Sequence, residues 1–191
     1  MKDFDFENKE QILSLIARAN DSQETIDLIS YFETIKNNRV PLYLDEIDFE
    51  KILKWKLRKQ YYRQEKQRLL NTNDLIKKIT KTAFEIEHLN KDYEIELKLK
   101  LLTSLKGVGI PIASAILTLI FPNKYAVIDF RIWRQLNKKP KISYTIGDYL
   151  RYLKHVKQLS EKYNLSTQQI DMAIWQLDIE KNKKNERRLY K

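Results

Sequence analysis

Apolar residues along this chain recur every three or four positions rather than in alternation, and such spacing is typical of amphipathic α-helices. Only 3 glycines and 4 prolines interrupt the pattern, so long stretches are free to be helical. The sequence therefore predicts an all-α fold. The predicted helices cover residues 6–18, 23–37, 45–57, 73–89, 92–105, 105–121, a short stretch starting at Asp129, 145–163 and 167–182.

Two of the predicted helices carry start signals. Ser166 with Gln169 fits a capping box, and Thr145 with Asp148 is a looser version of the same motif. The chain of 191 residues is long enough for one well-buried core, so we expect a single helical domain over residues 1–191, with room for two lobes. The basic C-terminal segment, residues 181–191, is expected to fray.

Composition excludes several kinds of site. The sequence has no cysteine, which rules out disulfides, thiolate zinc sites, cysteine-ligated iron–sulfur clusters and cysteine nucleophiles. Its two histidines lie far apart, so a histidine-rich metal site is not expected. The acidic start lacks a signal-peptide pattern, and the longest apolar stretch is well short of the roughly 20 residues of a membrane helix. We expect a soluble, cytoplasmic monomer that does not contact membranes.

Charge is distributed unevenly along the chain. Residues 1–50 hold 5 Lys and Arg against 12 Asp and Glu, a net of −7, whereas residues 51–191 hold 31 against 14, a net of +17. A strongly basic part favours a polyanion such as DNA or RNA, because Lys and Arg displace counterions from phosphates. A compositional bias towards lysine that has no functional meaning is the alternative.

The densest basic segment, residues 51–68, holds eight Lys and Arg against a single acid, with three aromatic residues between them. Basic and aromatic residues mixed in this way suit phosphate contact with occasional base stacking. A solvated helix face without a ligand is the alternative. The DNA-contact candidates in this segment are Lys56, Arg58 and Lys59.

The most informative segment is residues 105–113, Leu-Lys-Gly-Val-Gly-Ile-Pro-Ile-Ala, which lies between two predicted helices. Gly107 and Gly109 suit a tight turn, because glycine reaches backbone angles that other residues avoid. The N–H groups at the start of the second helix would then be accessible to a phosphate, and Pro111 fits the first turn of that helix. A plain connection between two helices, without a ligand, is the alternative.

Asp129 stands directly before a predicted short helix and follows Ala126-Val127-Ile128. An aspartate at this place caps the exposed N–H groups of the helix and complements the helix dipole. This structural role alone would account for the residue.

Together, the hairpin sequence, the apolar helix, the loop 122–125 and Asp129 resemble the helix-hairpin-helix DNA glycosylase superfamily, which includes endonuclease III and the 8-oxoguanine and alkyladenine glycosylases. Asp129 follows Pro111 by 18 residues, the spacing of the lysine–aspartate pair in that family. The match covers residues 105–136, roughly a sixth of the chain. Lys106 replaces the usual proline of the hairpin, Arg131 stands where a histidine is common, and the cysteine cluster of some members is absent.

The resemblance implies a helix-hairpin-helix glycosylase-like bundle and a hydrolase that removes a damaged or modified base from duplex DNA after flipping it out of the stack. Asp129 would be the catalytic residue. The hairpin residues that would contact the DNA backbone are Lys106, Gly107, Val108, Gly109 and Ile110. The base-pocket candidates are Trp55, Arg131 and Trp133, whereas the helical spacing of apolar residues places Trp175 in the core.

The resemblance also indicates which chemistry to expect. Lyase-active relatives carry their Schiff-base lysine at the position of Pro111, which has no amine, so we expect a monofunctional enzyme without lyase activity. No cofactor is expected, apart from a sodium or potassium ion on backbone carbonyls of the hairpin, as in several relatives. A non-catalytic DNA-binding protein is one alternative, and a bifunctional enzyme that uses Lys106 or Lys124 is another.

Overall fold

The computed structural model describes residues 4–19, 22–139 and 141–189. Over these residues the chain is helical and forms no β-strand, which confirms the all-α prediction. A 3-10 helix, Arg58–Gln64, lies between α3 and α4. The α-helices are α1 (Lys9–Arg18), α2 (Ser22–Asn38), α3 (Glu46–Leu57), α4 (Glu65–Arg68), α5 (Asn73–Glu85), α6 (Lys91–Leu102), α7 (Ile110–Ile120), α8 (Phe130–Asn137), α9 (Ile146–Tyr163) and α10 (Thr167–Leu189).

Capping side chains set many of these boundaries. Both predicted capping boxes are present, with Thr145 and Asp148 at the start of α9 and Ser166 and Gln169 at the start of α10. Each pair satisfies backbone N–H groups that a helix start leaves without an intrahelical acceptor. The sequence therefore located these two helix starts correctly.

Several boundaries differ from the prediction, among them the end of α5, which is Glu85 instead of residue 89, and the start of α7, which is Ile110 instead of residue 105. α1 begins at Lys9 instead of residue 6, because Asn8 caps the helix there. α3 ends at Leu57, as predicted, because Arg58 adopts a positive φ of 50°, and the basic stretch that follows is a 3-10 helix and a one-turn helix. α10 extends to Leu189 instead of residue 182, since no glycine or proline interrupts it.

α7 lies in the core of the fold. All of its residues from Ile112 to Ile120 are buried, as expected for a helix that is apolar on every side. It packs against α2, α3 and α6, and the small residues Ala113, Ser114 and Ala115 allow close approach. No helix within the described residues combines the length and the apolarity that crossing a bilayer requires.

A second group of helices forms around α10, which packs against α1, α8 and α9. α8 is fixed to α10 by an ion pair in which Arg134 Nε donates to Oδ1 of the fully buried Asp178 at 3.0 Å. Removing one partner of such a pair would leave a buried charge uncompensated, which is strongly destabilising. The start of α8, which carries Asp129, is therefore held in a fixed place.

Candidate active site

The turn between α6 and α7 is a tight hairpin that depends on Gly107. Its φ of +75° lies in the left-handed region, which residues with a side chain rarely adopt. A Cβ added at Gly107 would also lie 2.8 Å from Cγ of Arg68. Arg68 is buried, and its guanidinium lies over the ring of Tyr61, 5.0 Å from the ring centroid. Both backbone angle and packing thus require glycine at this position.

Asn71 fixes the hairpin to the segment that precedes α5. Its buried side-chain Oδ1 accepts the N–H of Lys106 at 2.8 Å, and its Nδ2 donates to the carbonyl of Lys106 at 2.9 Å. Both backbone groups of Lys106 are satisfied in this way, while the side chain of Lys106 is exposed. The hairpin therefore holds a lysine at the surface on a well-ordered backbone.

The start of α7 is open to solvent. Gly109 is the N-cap and is exposed, and no side chain caps the helix. A Cβ at Gly109 would meet only Cδ of Pro111, at the ordinary contact distance of 3.7 Å. Val108 is buried and anchors the turn in the core, whereas Ile110 is half-buried. An open helix start beside an exposed lysine can bind a phosphate, through the helix dipole and the N–H groups.

Asp129 uses its two carboxylate oxygens differently. Oδ1 caps α8 by accepting the N–H groups of Arg131, at 2.9 Å, and Ile132, at 3.0 Å. Oδ2 lies 3.5 Å from Nζ of Lys56, which comes from the last turn of α3. The side chains of Lys56 and Asp129 are only 11% and 18% exposed. Contacts on both oxygens hold the carboxylate in one orientation.

The segment before Asp129 is attached to three helices. Its backbone hydrogen bonds join Ile128 N–H to Ser114 Oγ of α7 at 3.2 Å, Val127 N–H to Asp171 Oδ2 of α10 at 3.1 Å, and Ala126 carbonyl to the hydroxyl of Tyr149 of α9 at 3.1 Å. Ser114 is five residues along the chain from Gly109, which is about 7 Å along a helix. Asp129 thus follows a residue anchored near the hairpin end of α7.

Asp129 and Lys56 line a cavity of about 130 Å³ between α3, α7, α8 and α10. Trp55 and Trp175 give it aromatic surface, and Thr118 and Gln168 add polar groups. In another protein, an apolar cavity of about 150 Å³ binds benzene. The cavity therefore has the size for a planar heteroaromatic ring, with a carboxylate at its wall.

A second carboxyl group of the cavity belongs to Asp171. Its Oδ2 accepts the N–H of Val127, and its Oδ1 and the hydroxyl of Tyr152 are 2.5 Å apart. Burial raises the pKa of Asp171 to about 7, although the hydrogen bond with Tyr152 opposes the rise; the charge of Asp129 contributes to it. Two carboxyl groups in one cavity therefore differ in environment, a feature found at many active sites.

Of the three residues predicted for a base pocket, only Trp55 lines the cavity. Its indole Nε1 donates to Oγ1 of Thr25 at 3.1 Å, which fixes the ring. Trp133 is not a lining residue and packs against Tyr144, with 5.6 Å between the ring centroids. The reason is helical phase, because Ile132 already faces the cavity and the next residue of a helix points about 100° away.

Arg131 does not line the cavity but supports it from behind, through Trp175. The guanidinium of Arg131 is buried, 5.4 Å from the ring centroid of Trp175, so it supports the cavity wall. Trp175 is half-buried against the core, as expected, and it also lines the cavity. It shares one face of α10 with Gln168, Asp171 and Met172, which also line the cavity. Gln168 and Asp171 are polar residues three positions apart on an otherwise apolar face of α10, and this pattern in the sequence could have indicated that α10 lines the cavity.

The three basic residues predicted to contact DNA occupy different environments. Lys56 faces inward to Asp129. Arg58 lies at the cavity and pairs with Glu24 at 2.5 Å. Lys59 and Arg63 are exposed on the 3-10 helix, and Lys66 is exposed on α4. A basic surface is therefore present next to the cavity, but Lys56 is not part of it.

Two carbonyls of the hairpin already accept hydrogen bonds. The carbonyl of Leu105 accepts the N–H of Val108 at 3.1 Å, and that of Lys106 accepts Asn71 at 2.9 Å. Each carbonyl oxygen keeps a second lone pair, so a sodium or potassium ion on the hairpin carbonyls stays a prediction. Across the residues that the structure describes, no three His, Asp or Glu side chains form a metal-binding group.

Comparisons with known proteins found no match to the chain among family models, curated proteins or solved structures.

Proposed function

We propose that this protein is a monofunctional DNA glycosylase of the helix-hairpin-helix type, which hydrolyses the N-glycosidic bond of a damaged or modified base in duplex DNA. The observation that carries the proposal is the position of Asp129. Its carboxylate lines a cavity with the size of a heteroaromatic ring, and its segment is anchored to the helix that begins at the hairpin. Backbone binding and bond cleavage would thus be coupled through α7. We propose that the monomer acts without a cofactor.

Binding begins at the hairpin in this proposal. The open start of α7 and the side chain of Lys106 contact phosphates, which positions the duplex without reading its sequence. The target nucleotide rotates out of the stack and its base enters the cavity between aromatic surfaces, because chemistry at the sugar requires access that the stacked duplex denies. Trp55 and Trp175 are the aromatic residues available for this contact.

Bond cleavage then depends on Asp129 Oδ2. As the bond between C1′ and the base nitrogen breaks, its electron pair leaves with the base and positive charge develops on the deoxyribose. A carboxylate fixed beside that charge stabilises the transition state and can accept a proton from the attacking water. Oδ1 is engaged by two N–H groups, so Oδ2 is the oxygen that reacts.

Lys56 and Asp171 support this carboxylate. Lys56 is its counter-charge before DNA binds. Asp171 has both oxygens engaged by Val127 and Tyr152, so it is a positioning residue that holds the segment leading to Asp129. Neither residue is required to react with substrate in the proposed mechanism.

A non-catalytic DNA-binding protein is the second candidate. The two hydrogen bonds from the start of α8 to Asp129 Oδ1 favour it, because capping by itself would justify an aspartate at this position. Such a protein would have a hairpin for phosphates and a cavity without chemistry. The two candidates differ in whether the Asp129 carboxylate is needed for base release.

The decisive experiment is single-turnover excision from a panel of duplexes that each carry one modified base, with released bases identified by mass. We expect Asp129→Asn to reduce excision by at least about 100-fold, because a stabilising charge is lost from the transition state. Affinity for the same duplexes should be equal or higher, since a negative charge near phosphates disappears while the shape is kept.

Asp45→Asn is the matched control, because Asp45 caps α3 and asparagine caps a helix as well as aspartate does. This variant should excise like the wild type. Equal activity of Asp129→Asn and the wild type would remove the catalytic role. DNA binding without excision of any base in the panel would favour the non-catalytic candidate.

A further inference from the structure

A second cavity, the α6–α9 groove, is lined by residues 92 and 95 of α6 and by residues between 150 and 161 of α9, and its volume is about 360 Å³. It shares no lining residue with the cavity at Asp129. Lys157 in the groove comes five residues after Tyr152, which is about 140° around the helix, and Tyr152 is the residue that bonds to Asp171. The groove is therefore on the other side of α9 from the proposed active site.

The floor of the α6–α9 groove is apolar. Ile95 and Leu153 are buried, and Leu150 is half-buried beside them. An apolar cavity of about 150 Å³ in another protein binds benzene. The larger groove therefore has room for the apolar part of a small ligand.

The polar side chains of the groove lack protein partners. Within the described residues, no side-chain hydrogen bond or ion pair is made by Asp92, Lys154, Lys157, Gln158 or Glu161. Exposed charges elsewhere on α6 do pair, such as Lys100 with Glu96 at 2.6 Å. Lys157 and Glu161 have the i, i+4 spacing that favours an ion pair and still do not form one. Five polar groups thus face one groove with their binding capacity unused.

Lys157 has the strongest need for a partner. Its side chain is half-buried, and taking an ammonium out of water without an acceptor costs free energy. Burial lowers the pKa of Lys157, although the nearby acids Asp92, Glu94 and Glu161 oppose the shift. The protein supplies no acceptor within hydrogen-bond distance among the described residues, so a ligand with an anionic group would satisfy this lysine.

The charges of the groove also define what kind of ligand fits. Two cations, Lys154 and Lys157, and two acids, Asp92 and Glu161, give the groove a net charge of zero on a protein of net charge +10. A polyanion gains little here, because the two acids repel it. Glu161 follows Lys157 by about 6 Å along α9, so opposite charges lie side by side over the apolar floor. A small ligand that carries both charges is complementary to this arrangement.

We propose that the α6–α9 groove binds a small zwitterion with an apolar body, which is the chemistry of a free hydrophobic α-amino acid. The ligand's carboxylate accepts hydrogen bonds from the two lysines, its ammonium donates to the two acids, and its side chain lies on the three apolar residues. The site does not depend on the proposed function, since it belongs to a separate cavity.

The test is a titration of the whole protein with L-leucine, followed by the amide signals of α6 and α9 in nuclear magnetic resonance spectra. We expect the signals of Asp92, Ile95, Leu153 and Lys157 to shift, with a dissociation constant of about 1 mM or below. Two analogues each lack one charge of leucine: 4-methylpentanoate has no ammonium, and isopentylamine has no carboxylate. Both should bind about 10-fold or more weakly, because each leaves one set of charged groups without a partner.

Variants connect the binding to the groove. Lys157→Met keeps the apolar stem and removes the charge, so it should weaken leucine binding about 10-fold or more. Its thermal stability should be equal or higher, because an unpaired half-buried cation is removed. The double variant Asp92→Asn/Glu161→Gln should weaken binding similarly and fold normally, since both residues are exposed.

Lys100→Met is the matched control, because Lys100 is an exposed lysine of α6 outside the groove. It should bind leucine like the wild type. The zwitterion site would be overturned by the absence of shifts at these signals, or by Lys157→Met binding leucine like Lys100→Met. Equal binding of leucine and 4-methylpentanoate would replace it with a plain anion site. Shifts of the same signals with protein concentration alone would show that a second copy of the chain covers the groove.

Discussion

At the scale of single residues, the contact between Lys56 and Asp129 has the largest chemical consequence. The two residues are distant in sequence, yet Lys56 Nζ lies 3.5 Å from Asp129 Oδ2 at the cavity wall. The amine of Lys56 therefore lies where the proposed bond cleavage occurs, and its ion pair with Asp129 makes it a counter-charge in that proposal.

We predict that base release is not accompanied by covalent trapping. Pro111 offers no amine, and Lys56 serves as the counter-charge of Asp129, so water is the nucleophile. Incubation with a cleavable duplex and sodium borohydride should give no protein–DNA adduct, and strands should break only after alkali. Adduct formation is measured by the shift of the protein band on a denaturing gel.

The variants Lys56→Gln, Lys106→Ala and Lys124→Ala identify the residue if an adduct does form. A trapped band that disappears only in Lys56→Gln would show that the enzyme is bifunctional with an amine from α3. A band lost only in Lys106→Ala or Lys124→Ala would place the amine on the hairpin or on the loop after α7. Any of these three results contradicts the monofunctional proposal.

At the scale of elements, the two glycines of the hairpin have different physical reasons. Gly107 is required by its positive φ and by the close approach of Arg68. Gly109 has an ordinary φ of −97°, and a Cβ there would make only an ordinary contact with Pro111. Only Gly109 therefore tests the proposed phosphate site without disturbing the fold.

We predict that Gly109→Ala keeps the fold but weakens binding to duplexes of unrelated sequence to the same extent, because a methyl group crowds the approach of phosphate to α7. Gly107→Ala should instead lower the free energy of unfolding by about 1–2 kcal/mol through its left-handed backbone. Urea unfolding and fluorescence-anisotropy binding measure the two effects. Wild-type affinity of Gly109→Ala would show that DNA docks elsewhere.

At the scale of the whole molecule, Asp171 connects three parts of the fold. It lies on α10, contacts Tyr152 of α9, and accepts the N–H of Val127 just before the start of α8. Burial raises the pKa of this carboxyl to about 7 from an ordinary value of 3.8. The folded state therefore favours the neutral acid, and its stability depends on pH.

The raised pKa of Asp171 determines whether the stability of the fold rises or falls with pH. Below about pH 4 the group is protonated in both the folded and unfolded states, and its contribution to stability is complete. As the pH rises through 7, the folded state must either keep the proton or bury a charge, and the contribution is lost. At 1.36 kcal/mol per pKa unit, the loss amounts to about 4 kcal/mol at most.

We predict that Asp171→Asn removes this dependence, because asparagine is neutral at every pH and can hydrogen-bond to the same partners. The difference in unfolding free energy between wild type and variant should shift in favour of the variant from pH 4 to pH 8. Urea unfolding at both pH values measures it. A constant difference would mean that Asp171 has an ordinary pKa.

The sequence alone determined the helices and the hairpin. Helical spacing of apolar residues, capping boxes and a pair of glycines are local signals, and local interactions decide them. The prediction that Asp129 caps α8 was correct for the same reason. The start of α1 differs from the prediction because a single side chain, that of Asn8, caps the helix there.

Only the tertiary structure decided which side chains share the cavity. Lys56, Asp171 and Trp175 come from helices far apart in the chain, and their meeting depends on how α3 and α10 pack around α7. A one-residue difference in helical phase put Ile132 at the cavity and turned Trp133 towards Tyr144. The physical reason is that the cavity forms by packing of helices that are distant in the chain, and the periodicity of apolar residues does not encode that packing.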